Sequence, residues 1–176
     1  ADGQLHAWYQ PKFNLRSGEV CGAEVLCRWL HPTRGIISPA LFMPVLERCG
    51  LLDALLFSQL DQALDIQRRA REQGFVLNLA FNLQAVQLAN AELTASLKGI
   101  LALHAAQGAG LTFELTESGL LEAPATSLES LVRLRMMGCR LSIDDFGAGF
   151  SSLQRLCQLP FNEIKLDADF IRNLER

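Results

Sequence analysis

The sequence predicts an α/β fold, a sheet of mostly parallel strands covered by helices, and two observations carry that prediction. After residue 74, compact apolar runs alternate with amphipathic stretches of helical period. A glycine or proline suited to an entering turn (Gly74, Gly110, Gly138, Pro160) stands shortly before each run. The runs are 75–83, 111–115, 140–143 and 163–166, with helical stretches at 91–107, 126–137 and 151–158 between them. The runs read as apolar on both faces, as strands buried between two layers do.

The first part of the chain is organised differently. Residues 7–15 and 19–29 read as strands joined by the turn Arg16-Ser17-Gly18, so they are expected to pair as a hairpin. Residues 30–35 read as a loop. Ser38-Pro39 supplies an N-cap and a proline at the first helical position, opening a helix that ends near Gly50. From Leu52 to Gln73, Leu55, Leu56, Leu60, Ala63, Leu64 and Ile66 recur at helical spacing, and Gly74 closes that helix.

Composition narrows the functional class. The 176 residues suffice for one domain, with 49% hydrophobic and 20% charged residues. A net charge of −3 gives no general attraction to a nucleic-acid polymer or an anionic membrane, so a phosphate ligand must be held locally. Five scattered cysteines (Cys21, Cys27, Cys49, Cys139, Cys157) form no CxxC pair and read mostly as buried reduced thiols, pointing to the cytoplasm. There is no secretory pattern at the N-terminus and no run of about 18 apolar residues. The chain begins without Met, which suggests a piece of a longer protein.

Acids and amides fall where strands end. Glu24 lies in the second strand, Asn82 ends the third, Glu114 and Glu117 the fourth, Asp144-Asp145 the fifth, and Lys165 with Asp167 the sixth. In a parallel α/β sheet the C-terminal strand ends share one mouth, so these groups are expected to converge. Four clustered carboxylates do not all stay ionised without cations, and oxygen ligands select hard ions such as Mg²⁺ or Mn²⁺. Adjacent carboxylates allow one of them to bridge two ions about 3.5–4 Å apart, an arrangement that serves in-line phosphoryl displacement. Lys165 adds a cation for the attacked phosphate or the nucleophile. Singly, each residue has a simpler reading: an acid after a strand is often a helix cap, and Lys165 suits a snorkelling surface position. Recurrence at five strand ends outweighs those readings. His31 and His104 lack partners at metal spacing and are expected not to be ligands.

With these residues on the page, the sequence resembles the EAL family of cyclic di-GMP phosphodiesterases over essentially its whole length. The matching pieces are Tyr9-Gln10-Pro11, Glu24-Val25-Leu26-Cys27-Arg28-Trp29, His31-Pro32, Asn82-Leu83, Gln87-Leu88 and Glu114-Leu115-Thr116-Glu117-Ser118. They continue with Asp144-Asp145-Phe146-Gly147-Ala148-Gly149-Phe150-Ser151-Ser152-Leu153, Leu159-Pro160 and Lys165-Leu166-Asp167. The resemblance implies a TIM-like (β/α) barrel with an antiparallel first strand, and hydrolysis of cyclic di-GMP to linear pGpG with two Mg²⁺ or Mn²⁺ ions. It implies one ion on Glu24, Asn82, Glu114 and Asp144, and a second shared by Asp144 and Asp145. Lys165 is expected on the nucleophilic water. Gln10, Leu26, Arg28 and Asp167 are expected on substrate, with Arg28 near a phosphate and Gln10 near a guanine. Glu117, Phe146 and Gly147 belong to a regulatory loop that also serves a homodimer contact.

The sequence departs from the family at a few positions. Val25 stands where the name-giving motif has alanine, Ala148 and Phe150 replace hydroxyl-bearing residues, and Ala168 replaces a common arginine. Cys27, Ala148 and Arg155-Leu156-Cys157 resemble the branch attached to response regulators, implying a regulatory domain on the N-terminal side. The family's seventh-strand glutamate and eighth-strand glutamine have no counterparts in these 176 residues, so the barrel is expected to be truncated after the sixth strand. A piece of a longer chain is favoured over completion by a partner. Two other functions stay open: a receptor that binds the same dinucleotide without cleaving it, and a Schiff-base lyase using Lys165 as nucleophile.

Overall fold

A computed structural model of the chain describes residues 3–122, 127–147 and 159–174. It opens with two long strands, β1 (Leu5–Phe13) and β2 (Val20–His31), paired antiparallel across the Asn14–Glu19 turn. A short β3 (Gly35–Ile37) folds back on the end of β2. Helices α1 (Pro39–Arg48) and α2 (Leu52–Glu72) follow, then β4 (Asn78–Asn82), α3 (Ala85–Leu88) and α4 (Leu93–Leu103). The chain continues as β5 (Leu111–Thr116), α5 (Glu117–Glu122), α6 (Ser127–Met136), β6 (Arg140–Phe146), β7 (Glu163–Leu166) and α7 (Ala168–Leu174). The helix expected at 151–158 falls outside the described residues.

The sheet order is β1-β2-β4-β5-β6-β7, with β3 on β2. Every neighbouring pair from β2–β4 onward is parallel. Two ion pairs show that this sheet is curled. Strands sit about 4.8 Å apart, so β2 and β7, four steps apart, would be roughly 19 Å apart in a flat sheet. Yet Lys165 on β7 reaches Glu24 on β2 at 3.2 Å, and Lys12 on β1 reaches Glu163 on β7 at 3.2 Å. The strands form the wall of a barrel that is not closed by hydrogen bonds between β1 and β7 among the described residues.

Period-two alternation sorts the wall into two faces. Leu79 and Phe81, Leu111, Phe113 and Leu115, and Leu141 and Ile143 are buried in one core with Leu60, Ala63 and Leu64 of α2, Leu97 of α4 and Leu131 and Leu134 of α6. Leu60 and Ala63 are fully enclosed, as the helical spacing predicted. The alternate positions are mostly polar, Glu24, Asn82, Thr112, Glu114, Ser142, Asp144, Glu163 and Lys165, with Leu26 and Ala80 apolar among them. The expectation of strands apolar on both faces is therefore corrected. The helix-facing side is apolar and the other side mainly polar, because it lines the barrel interior, where charged groups meet one another. On β7 the apolar positions Ile164 and Leu166 are exposed instead.

Other differences have local causes. The loop expected at 30–35 is shorter, since β2 runs to His31 and Gly35 (φ +70°) turns the chain into β3. The run 75–83 yields a strand only over Asn78–Asn82. Phe75 and Val76 are exposed after the positive-φ Gly74, and Gln67 Nε2 donates to the Leu77 carbonyl at 2.9 Å. Cys27 and Cys139 are buried and their thiols pushed up to about 11 by burial, whereas Cys21 and Cys49 are exposed; Cys157 lies outside the described residues. Among the described residues no helix is long and apolar enough to cross a membrane.

Candidate metal centre and active site

The inward positions of β2, β5 and β6 place Glu24, Glu114 and Asp144 together, with one carboxylate oxygen of each within 4.8 Å of the others. Register explains the meeting. Glu24 pairs with Ala80, Asn82 with Glu114, Glu114 with Ser142, and Thr116 with Asp144, so the acids lie within a few residues of one level across the parallel strands and curling brings them to one mouth. Lys165 Nζ stands among them, 2.8 Å from Glu114 Oε2, 2.8 Å from Asp144 Oδ2 and 3.2 Å from Glu24 Oε2. Asn82 Nδ2 donates to Glu24 Oε1 at 2.9 Å.

The charges shift one another. Burial raises the Glu114 carboxyl, and Lys165 and Lys12 offset this only in part. Burial works against the Lys165 ammonium, but hydrogen bonds to Asp144 and Glu114 and the surrounding negative charge outweigh it, so its pKa is raised. Three carboxylates around Lys165 favour its ammonium form, which is less compatible with a Schiff-base nucleophile.

Asp145 sits differently. Between Ile143 and Phe146 the β6–β7 register shifts, three steps on β6 facing two on β7, which is a β-bulge. Asp145 carries the extra residue at φ +54°, and its N–H donates to Asp144 Oδ1 at 2.9 Å. The bulge breaks alternation where two acids are adjacent, so Asp145 is exposed beside the three-acid cluster. Burial and the charges of Asp144 and Asp167 raise its pKa. Gly147 (φ +97°) follows, its N–H donating to Oε2 of buried Glu117 at 2.9 Å, while Phe146 packs against the core. Residues 148–158, the rest of the expected regulatory loop, lie outside the described residues.

The remaining candidates surround this mouth. Gln10 pairs in register with Glu24 on the neighbouring strand and is exposed. Leu26 and Arg28 continue the inward face of β2 and, with Asn82 and Gln84, line a cavity of about 180 Å³. Arg28 donates to the Cys27 carbonyl at 2.9 Å and lies 5.9 Å over the Trp8 ring. Asp167 leads into α7, its Oδ1 accepting from the Asp169 N–H at 2.8 Å. His104 pairs with Asp61 at 2.8 Å, and His31 Nδ1 faces the Thr33 and Arg34 N–H groups, so neither joins the cluster.

Sequence reasoning missed Lys12. Its Nζ lies 3.2 Å from both Glu114 Oε1 and Glu163 Oε1, in contact with the buried acid from the side away from Lys165. The available signal was phase: Lys12 stands two residues from Gln10 on β1, and so on the same face.

Comparison with known proteins identifies the family of the chain. The model of the EAL domain family matches residues 1–176. Cyclic di-GMP phosphodiesterase RocR of Pseudomonas aeruginosa is 45% identical over 174 residues, covering 99% of this chain and 44% of that protein. Bifunctional diguanylate cyclase/cyclic di-GMP phosphodiesterase MucR of the same organism is 40% identical over 172 residues, covering 97% of this chain and 25% of that protein. A solved structure of the MucR phosphodiesterase in complex with c-di-GMP has a TM-score of 0.89 at 40% identity, covering 98% of this chain and 70% of that one. The chain spans less than half the length of these curated relatives. The chain belongs to the EAL domain family, and its curled, unclosed sheet is part of a TIM-like barrel.

Proposed function

We infer that the intact protein hydrolyses cyclic di-GMP to linear pGpG in bacterial second-messenger signalling, in the cytoplasm. The observation that carries this is the convergence of Glu24, Glu114 and Asp144 within 4.8 Å at the mouth of an EAL-type barrel wall. The donor set fits divalent metal: three carboxylates and the Asn82 amide offer hard oxygen ligands, already drawn around one cationic group. Glu24, Asn82, Glu114 and Asp144 would hold one Mg²⁺ or Mn²⁺, and Asp144 with Asp145 a second. Bound there, the ions lower the pKa of water and neutralise charge building on the phosphoryl oxygens.

The chain's own residues do the rest. Glu24 and Asp144 fix the mouth, and Lys165, held by three carboxylates, presents its ammonium where the attacking water and the phosphate meet. Arg28 offers a planar cation to a phosphate, Leu26 an apolar wall, Gln10 an amide for a guanine edge, and Asp167 an acceptor at the rim. Glu117 holds the turn at Gly147, coupling the loop after Asp145 to the acids. A regulatory domain elsewhere in the intact protein, in keeping with the greater length of the relatives, and a homodimer through that loop complete the reading.

The test is turnover of cyclic di-GMP by the intact protein with Mn²⁺, followed by chromatography of pGpG. Wild type is expected to be active, chelation to stop it, and Glu24→Ala to abolish it with weakened metal binding. Tight dinucleotide binding without product in wild type with Mn²⁺ would establish a receptor instead.

A further inference from the structure

Lys12 has no part in the reading above, yet it grips the most buried acid of the site. The side chain of Glu114 is 0% exposed, and its two oxygens are divided between two lysines. Oε2 takes Lys165 at the mouth, and Oε1 takes Lys12 at 3.2 Å from below. Lys12 is itself anchored by Glu163 at 3.2 Å, and Glu163 lies 3.8 Å from Arg140. One end of the carboxylate is thus engaged within the barrel wall, leaving a single oxygen for the mouth.

We propose that Lys12 is a positioning residue that fixes Glu114 as a one-oxygen metal ligand, with Glu163 holding Lys12 in place; this rests on the metal-site reading above. Charge alone predicts the opposite effect of removing Lys12, because a cation near a metal site repels the metal. Glu163, no farther from Lys12 Nζ than Glu114 is, offsets that charge, so orientation dominates. Loss of a residue that orients a ligand typically weakens metal binding by 10–100-fold.

Calorimetric Mn²⁺ titration of the intact protein decides the matter. Lys12→Met and Lys12→Gln, two replacements measured in parallel in case one misfolds, should each weaken Mn²⁺ binding by about tenfold. At saturating Mn²⁺, KM for cyclic di-GMP should stay within about twofold of wild type, and Lys12→Arg should restore most of the Mn²⁺ affinity. Glu163→Gln, which removes the anchor of Lys12 but keeps Lys12 itself, should also weaken Mn²⁺ binding, by no more than the Lys12 variants do. Unchanged or tighter Mn²⁺ binding in the folded Lys12 variants overturns the proposal, and unchanged binding in Glu163→Gln overturns the anchoring role given to Glu163. A wild type that binds no Mn²⁺ would instead overturn the metal-site reading itself, a separate result.

Discussion

Replacing Lys165 by methionine keeps the bulk of the side chain and deletes the cation shared by Glu24, Glu114 and Asp144. Carboxylate oxygens within 4.8 Å of one another repel by at least about 3.5 kcal/mol per pair at an effective dielectric near 20. Three such pairs, about 10 kcal/mol, are comparable with the whole stability of a domain, so the metal-free variant is expected to take up a proton on the cluster. Glu114 is the natural site, since burial already raises its pKa and Lys165 opposes that rise. A group with a folded pKa above its unfolded value gives stability that is complete below the unfolded value and lost as pH rises. For one proton, stability should fall by about 1.4 kcal/mol per pH unit between the unfolded carboxylate range and the raised pKa. From pH 5 to pH 7 the variant should therefore lose up to about 2.7 kcal/mol more than wild type, roughly 5–10 °C in Tm. Mn²⁺ should recover it. Thermal unfolding of both proteins at the two pH values, with and without Mn²⁺, measures this directly. A Lys165→Met Tm that tracks wild type across pH, or ignores Mn²⁺, would refute the electrostatic reasoning.

Three further outcomes follow from other parts of the molecule. Lys165→Ala should reduce kcat far more than it weakens cyclic di-GMP binding, read by steady-state kinetics beside equilibrium titration. Glu117→Ala removes the acceptor of the Gly147 N–H and should lower turnover by at least about tenfold at saturating Mn²⁺, with the Mn²⁺ dissociation constant measured in parallel. Gly108→Ala would place a methyl against the Met137 carbonyl, 2.7 Å from Cys139 Sγ and 2.8 Å from the Cys139 amide nitrogen, a backbone contact with little freedom to shift. It should cost about 1–3 kcal/mol in urea unfolding without altering metal affinity.

Much of this was legible in the sequence because period and punctuation survive folding. The α2 stripe of Leu55, Leu56, Leu60, Ala63 and Leu64 needed only helical spacing and is buried, while Ile66, expected with it, is exposed and Gln67 takes the buried position. Strand-end acids were legible for a similar reason: parallel βα units repeat, so Asn82, Glu114 and Asp144 recur once per unit. Curling was legible only through the family resemblance, and nothing local in β1 shows that Lys12 will touch Glu163 on the far strand. The bulge at Asp145 was also hidden. Two adjacent acids read as opposite faces of a regular strand, and only the shifted β6–β7 register shows otherwise. Short elements such as β3 and α3 were missed because their stability comes from neighbours, β2 and α6, and not from their own pattern.

The site stands or falls on where a divalent cation binds. Anomalous diffraction from crystals of the intact protein grown with Mn²⁺ locates it without reference to activity. A Mn²⁺ peak within coordinating distance of Glu24, Glu114 and Asp144 together, at roughly 2.0–2.3 Å from their oxygens, is the expected result. Ordered crystals in which those three carboxylates face no Mn²⁺, or in which the ion sits on other groups, would contradict it.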